Sequence, residues 1–233
     1  MSYKIDDYSY LSRFMQMLND DQISRLFSAK IIIFGVGGVG SALAHFLVRA
    51  GIQHLDIVDF DTIDISNLNR QLVAYRDNIG RLKVDALKEQ LLNINPNLEI
   101  SIYPTKLSRD TLASFHLDKY DIIVDCIDDV SAKKLLIKSA RELNIYILSA
   151  MGAGNRYIGI PEFKIANIQK TEYDPLAKII RKFCKDEGIN RLEVCYTRQK
   201  AMKINCKNIA SVVYYPINMA SVMCARIINK IID

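Results

Sequence analysis

The apolar residues of this chain fall into short runs and helical stripes that alternate along most of its length. Lys30-Ile-Ile-Ile-Phe34 is apolar and β-branched and runs into glycine, as a buried parallel strand does. Val39, Ala42, Leu43, Phe46, Leu47 and Ala50 then recur at i, i+3, i+4, which predicts one helical face closed by Gly51. Residues 54–59 read as a second strand with an acid at its tip. A helical period covers residues 80–93 and stops at Asn95-Pro96; a strand is expected over 99–103 and a short capped helix over 108–115. Residues 120–127, with Ile122-Ile-Val124 inside, predict another buried strand, followed by a helix over about 131–143 and a strand over 145–149.

Such alternation predicts an α/β fold, a Rossmann-like, mainly parallel sheet with helices on both faces. Beyond Met151-Gly-Ala-Gly154 the rhythm changes. Asp174-Pro175, a capping acid followed by proline in the first turn, predicts a helix that Gly188 ends. A strand over 192–197 and a helix over about 219–232 complete the chain. One domain is expected over residues 1–233: a helical N-terminal segment (1–29), a nucleotide-binding core (30–150) and a substrate-side part (151–233).

Composition alters this picture little, but charge placement does. Half the residues are apolar and 24% are charged, with no repeat or low-complexity tract, as in ordinary globular chains. The five cysteines are scattered without a C-x-x-C pair, so neither a disulfide framework nor a zinc knuckle is indicated and the thiols are expected reduced. The N-terminus, with Lys4, Asp6 and Asp7, lacks the apolar stretch of a signal peptide, and the uncharged run 209–225 is too short and polar to span a membrane. A cytoplasmic location without membrane contact is expected. Of the net charge of +5, residues 164–207 carry +6. Within them Lys178, Arg181, Lys182 and Lys185 share one predicted helix, and Arg198, Lys200, Lys203 and Lys207 crowd the polar stretch that follows, a candidate RNA-binding surface.

The candidate chemistry begins at Gly35-Val-Gly-Gly-Val-Gly-Ser41. Glycines 35, 37 and 40 let the backbone turn sharply and approach a ligand, and the helix start that follows offers N–H groups to phosphate. Asp59 lies where a carboxylate can accept from ribose hydroxyls. Arg70 and Lys83 exceed what a pyrophosphate requires and point to a triphosphate. Asp128, at the exit of a buried strand, can hold Mg²⁺ beside that triphosphate, with helix capping by Asp128 or Asp129 as the alternative. The histidines His45, His54 and His116 follow no catalytic spacing, and Cys195 reads as core sooner than as nucleophile.

Taken together, the glycine loop, Asp59-Phe-Asp61, Ser66-Asn-Leu-Asn-Arg-Gln71, Gly80-Arg-Leu-Lys83 and Asp125-Cys-Ile-Asp128 resemble the adenylating superfamily of ubiquitin-activating enzymes and sulfur-carrier activators, the ThiF/MoeB type. Met151-Gly-Ala-Gly-Asn155 and Lys170-Thr-Glu-Tyr-Asp-Pro-Leu-Ala177 resemble its tRNA threonylcarbamoyladenosine dehydratase branch. The resemblance implies ATP-driven cyclisation of N6-threonylcarbamoyladenosine in tRNA through an acyl-adenylate; the rival within the superfamily is adenylation of a ubiquitin-like or sulfur-carrier C-terminus, which the missing C-x-x-C pairs disfavour. It also implies that Gly38 and Asp59 contact the nucleotide, with Asp61, and that Ser66, Asn67, Asn69 and Arg70 line its site. Lys83 would bind phosphates and Asp128 the metal. Arg13 would be donated across a homodimer, and a monovalent cation near residue 150 and a sulfur-relay partner would be possible additions. Catalysis would thus fall to Arg13, Arg70, Lys83 and Asp128.

Overall fold

The computed structural model describes residues 5–204 and 209–233. Cys206 and Lys207, which entered the cysteine and charge arguments, lie outside the described residues. In chain order, a 3₁₀ segment at Ile5–Leu11 leads to α1 (Ser12–Met15), α2 (Asp20–Ser28), β1 (Lys30–Phe34), α3 (Gly38–Arg49), β2 (His54–Val58), α4 (Lys83–Leu92) and β3 (Ile102–Tyr103). There follow β4 (Ile122–Asp125), α5 (Val130–Glu142), β5 (Tyr146–Ala150), β6 (Phe163–Asn167), α6 (Pro175–Asp186), β7 (Glu193–Thr197) and α7 (Tyr214–Ile232).

The strands form one seven-stranded sheet in the order β3-β2-β1-β4-β5-β7-β6, parallel throughout except where β6 joins β7. The sheet is continuous across residue 150, so residues 151–233 add strands to the sheet built by residues 30–150. Alternate residues of β1 serve opposite faces. Ile31 and Ile33 pack with α2, α3, α4 and α7, whereas Ile32 and Phe34 pack with Phe115 and Leu136. Both faces are therefore buried, which is why β1 is apolar at every position instead of alternating.

Local departures from expectation have local causes. β6 escapes the pattern because Lys164 and Asn167 interrupt a five-residue edge strand whose apolar residues are only Phe163, Ile165 and Ala166. α7 begins five residues before the expected start: Pro216 sits in its first turn, where a missing N–H breaks no helical bond. α4 begins at Lys83 because Gly80, at φ +88°, and the Thr62–Leu82 bridge occupy the residues before it. Over 108–115 only Leu112–Phe115 is helical, as a 3₁₀ turn, while Ser108 and Thr111 exchange hydrogen bonds. Among the described residues the cysteines are free thiols, and no helix is long and apolar enough to cross a membrane.

One ion pair fastens the last helix to the sheet. Glu193 on β7 accepts from Arg226 Nε and Nη2 at 2.8 and 2.9 Å and from the Tyr146 hydroxyl at 2.7 Å. These donors hold the Glu193 carboxyl below its ordinary range, with the Arg226 hydrogen bonds contributing most. A depressed folded-state pKa means stability fully present above the unfolded carboxyl's value of about 4.3 and lost as pH falls through the lower, folded value. Glu193→Gln is expected to cost about 1–2 kcal/mol at neutral pH, since the pair is partly solvated, and to flatten the acid limb of stability; urea titrations at several pH values check both.

Candidate active site

β1 and β4 are neighbours, with Phe34 opposite Asp125, so their C-terminal ends deliver the glycine loop and residues 126–128 to one crevice. Because β2 and β3 lie on one side of β1 and β4 and β5 on the other, this is the switch point of the sheet, where open α/β folds bind ligands. Close packing dictates the glycines. A Cβ on Gly40 would lie 1.9 Å from the Gly35 carbonyl oxygen, and one on Gly35, at φ +85°, would lie 2.8 Å from that of Cys126. The loop is fixed by Gly35 N–H donating to Val58 O and Val36 N–H donating to Asp59 Oδ2, each at 2.8 Å. α3 starts at Gly38 without a side-chain cap, leaving a helix N-terminus for an anion.

Asp59 is buried, and burial raises its carboxyl above the ordinary range against the opposing charge of Lys83. Lys83 Nζ is itself buried and lies 2.7 Å from Asp61 Oδ2. Arg70 is braced from its own loop, Nη1 donating to Ser66 O at 2.7 Å and to Asn69 Oδ1 at 2.9 Å. The two neighbouring acids at the end of β4 divide their work. Asp129 caps α5 by accepting from Ala132 N–H at 2.8 Å, whereas Asp128 is exposed to the crevice and makes no hydrogen bond or ion pair with any described residue. Behind them Asp125 is fully buried, 2.7 Å from Lys133 Nζ and hydrogen-bonded to Ser149.

The glycine loop, Asp59, Asp61, Arg70, Lys83, Asp128 and Asp129 border one cavity of about 690 Å³. Its near end holds Gly35, Gly37, Gly38, Asp59, Asp61, Arg70, Lys83 and Asp128; its far end is walled by residues 150–156, the start of α6, Ala201 and Ser211. The far wall is organised by Arg156, which is 4% exposed. Its Nη1 donates to the carbonyls of Gly152 and Gly154, its Nε to that of Gln199, and Nη2 stands 3.7 Å from Asp174 Oδ2 without a hydrogen bond. Asp174 in turn accepts from Gly152 N–H and caps α6 through Ala177 N–H. Residues 209–211 lie across this wall: Asn155 and Ala210 exchange two hydrogen bonds, and Asn69 Nδ2 donates to Ser211 O.

The family model described as the ThiF family matches residues 10–228. The chain belongs to the ThiF family. It is 34% identical to the tRNA threonylcarbamoyladenosine dehydratase of Bacillus subtilis over 174 residues, 75% of this chain and 68% of that one. It is 33% identical to the enzyme of the same name from Haemophilus influenzae over 179 residues, 76% and 68% of the two chains. The crystal structure of the E. coli tRNA N6-threonylcarbamoyladenosine dehydratase in complex with ATP has the same fold, with a TM-score of 0.91 over 99% of this chain and 97% of that one at 23% identity.

In this ThiF-family chain Gly35, Gly37, Gly38, Asp59, Asp61, Arg70, Lys83 and Asp128 line one cavity, whereas Gly40 is buried beneath the loop and shapes it without lining the cavity. Ser66, Asn67 and Asn69 stand outside the lining. Asn67 is buried in a reciprocal cap with Asp64, and Ser66 and Asn69 act through Arg70. Arg13 is exposed on α1 and does not line the cavity of its own chain. Cys195 is buried at 0% exposure with its thiol pushed up to about 12 by desolvation, an environment for packing and not for a nucleophile. Sequence reasoning overlooked Arg156, Asp174 in its second role, and Gln71, whose buried Oε1 is unpartnered beside Gly37. The signal for Gln71 lay in the quoted Asn-Arg-Gln run; Arg156 had none beyond following Asn155.

Proposed function

We propose that this chain is an ATP-dependent tRNA threonylcarbamoyladenosine dehydratase, a single adenylation domain acting through an acyl-adenylate. The observation that carries the reading is the continuity of the cavity from the glycine loop to residues 150–156 and 174–176, which fall in the two segments that resemble the dehydratase branch. ATP lies over Gly35 to Gly40 with its ribose toward Asp59, whose two oxygens retain lone pairs beside the backbone N–H groups they already accept. The threonyl carboxylate attacks the α-phosphorus, forming one P–O bond as the bond to pyrophosphate breaks. A nucleophile within the modified base then attacks the acyl carbon and AMP leaves, so ATP cleavage drives the loss of one water. The α3 N-terminus, Arg70 and Lys83 hold the phosphate charge that develops, from positions fixed before substrate arrives.

Mg²⁺ fits the donor set: Asp128 is an uncommitted carboxylate facing the cavity, and that ion favours one or two carboxylates with phosphate oxygens, whose charge it would neutralise. A monovalent cation near residue 150 would share the Gly152 and Gly154 carbonyls with Arg156. Arg13, outside its own cavity, suits donation to a second copy in a homodimer. For tRNA, Lys178, Lys182 and Lys185 are exposed on α6, which starts at the cavity's far wall, while Arg181 is engaged by Thr171. A cytoplasmic site of action accords with this substrate. Incubation of the protein with ATP and tRNA carrying threonylcarbamoyladenosine, followed by mass spectrometry of the nucleosides, tests the reading. The expected product is that nucleoside less one water; an unaltered nucleoside alongside adenylation of a carrier-protein C-terminus would replace it with the rival activity.

A further inference from the structure

Resting on the tRNA reading of the same cavity, we propose that Tyr173 is a stacking platform for an unstacked base of the substrate RNA next to the modified adenosine. Its position is the first reason. Asp174 and Pro175 after it line the far end of the cavity, and so does Ala201, whose neighbour Lys200 sets its Nζ 5.1 Å from the centre of the Tyr173 ring. Aromatic residue and cation thus stand together on the rim, outside the cavity they flank.

The second reason is how the ring is presented. Tyr173 has φ +57°, a left-handed conformation in which a bulky non-glycine residue is an outlier, and it is 57% exposed. Its hydroxyl has no hydrogen-bond partner and its ring no aromatic partner among the described residues. Lys200 is the side-chain partner of this ring, and hydrogen bonds anchor the residues on both sides of it. Thr171 O accepts from Arg181 Nη1 at 2.7 Å, and Asp174 accepts from Gly152 N–H at 2.9 Å and Ala177 N–H at 2.9 Å. An exposed aromatic ring on a fixed turn, with a lysine against it and Arg198 paired to Glu172 alongside, is how proteins bind unpaired nucleotides: the base stacks on the ring and the cation meets phosphate. The adenine of ATP is the other nucleobase present, but its ribose and phosphates belong to the opposite end of the cavity.

The test uses the full chain carrying Tyr173→Asn, Tyr173→Phe or Tyr173→Trp. Asparagine adopts the left-handed backbone readily, so that variant removes the ring without adding strain. Equilibrium binding of tRNA carrying threonylcarbamoyladenosine is expected to weaken roughly five- to hundredfold in Tyr173→Asn, the range for one lost base stack, and to return to within about threefold of wild type in the Phe and Trp variants. ATP affinity should be the same in all four proteins. Wild-type tRNA affinity in Tyr173→Asn overturns the platform while leaving the dehydratase reading intact, and so does an equal loss in the Phe and Trp variants. Weakened ATP binding would assign the ring to adenine instead. Failure of the wild-type protein to bind or dehydrate the tRNA overturns both.

Discussion

Lys83→Ala, Arg70→Ala and Asp128→Ala are each expected to lower dehydration turnover at least about a hundredfold, because on the proposed mechanism each would remove roughly 3 kcal/mol of charge stabilisation from the adenylation transition state, the cations directly and Asp128 through the Mg²⁺ it would hold. The three differ in what else they disturb, and this makes the series informative. Asp128 has no partner among the described residues, so its loss should leave the denaturation midpoint unchanged. Removing Lys83 strands Asp61, which is half exposed and can be solvated, but it also takes away the cation opposing the burial of Asp59. In that variant Asp59 should protonate at higher pH than in wild type, and ATP affinity should fall earlier as the solution is acidified. Kinetics at saturating ATP, with thermal melts run in parallel, check the set. Near-normal turnover in any two variants with intact folds would overturn the assignment of roles.

The largest effect on stability is expected at Lys133, which is less exposed than any other described lysine outside the cavity. Its ammonium donates to Asp125 Oδ2 at 2.7 Å and to the Ala150 carbonyl at 3.0 Å, and both members of the pair are wholly buried. Lys133→Met would leave a carboxylate in the core with only Ser149 and the Ile127 N–H for company, a change that costs about 3–5 kcal/mol out of a typical total of 5–15. Adding Asp125→Asn should recover a substantial part of the loss, since the charge goes while an acceptor for Ile127 N–H remains. Urea denaturation of the two single variants and the double variant measures the coupling. A Lys133→Met protein within about 1 kcal/mol of wild type would show that water or a rearranged neighbour compensates the carboxylate.

These two experiments probe different kinds of information in the chain. The glycine-loop end of the cavity was legible because its parts are local: strand, glycine loop, helix and acid-tipped strand follow one another without interruption, so period and spacing alone bring them together. The far end was not. Arg156 acquires its meaning from Gln199 and Asp174, each brought to it by the sheet and not by sequence proximity, and nothing in Asn155-Arg156-Tyr157 announces a buried guanidinium. Lys133 reads as one more charge on an amphipathic helix until β5 covers it. Asp128 and Asp129 could not be told apart by position, since either can cap a helix; only the backbone shows that the cap falls to Asp129. β6 and the first turn of α7 were hidden by residues that usually mark a break, a lysine on an edge strand and a proline that a first turn tolerates.

The packing of α7 has a consequence for ATP binding. Pro216 lines the cavity and would meet a Cβ on Gly38 at 3.2 Å, and the helix it begins lies along α3 and α2. The glycine loop, encoded near residue 40, therefore lacks one wall unless residues 214–232 are folded onto it. Met219, Met223 and Ile227 are the residues with which α7 covers the apolar face of the sheet and α3. Docking of α7 therefore completes the cavity and covers that apolar face together, so ATP binding is expected to depend on α7 being in place.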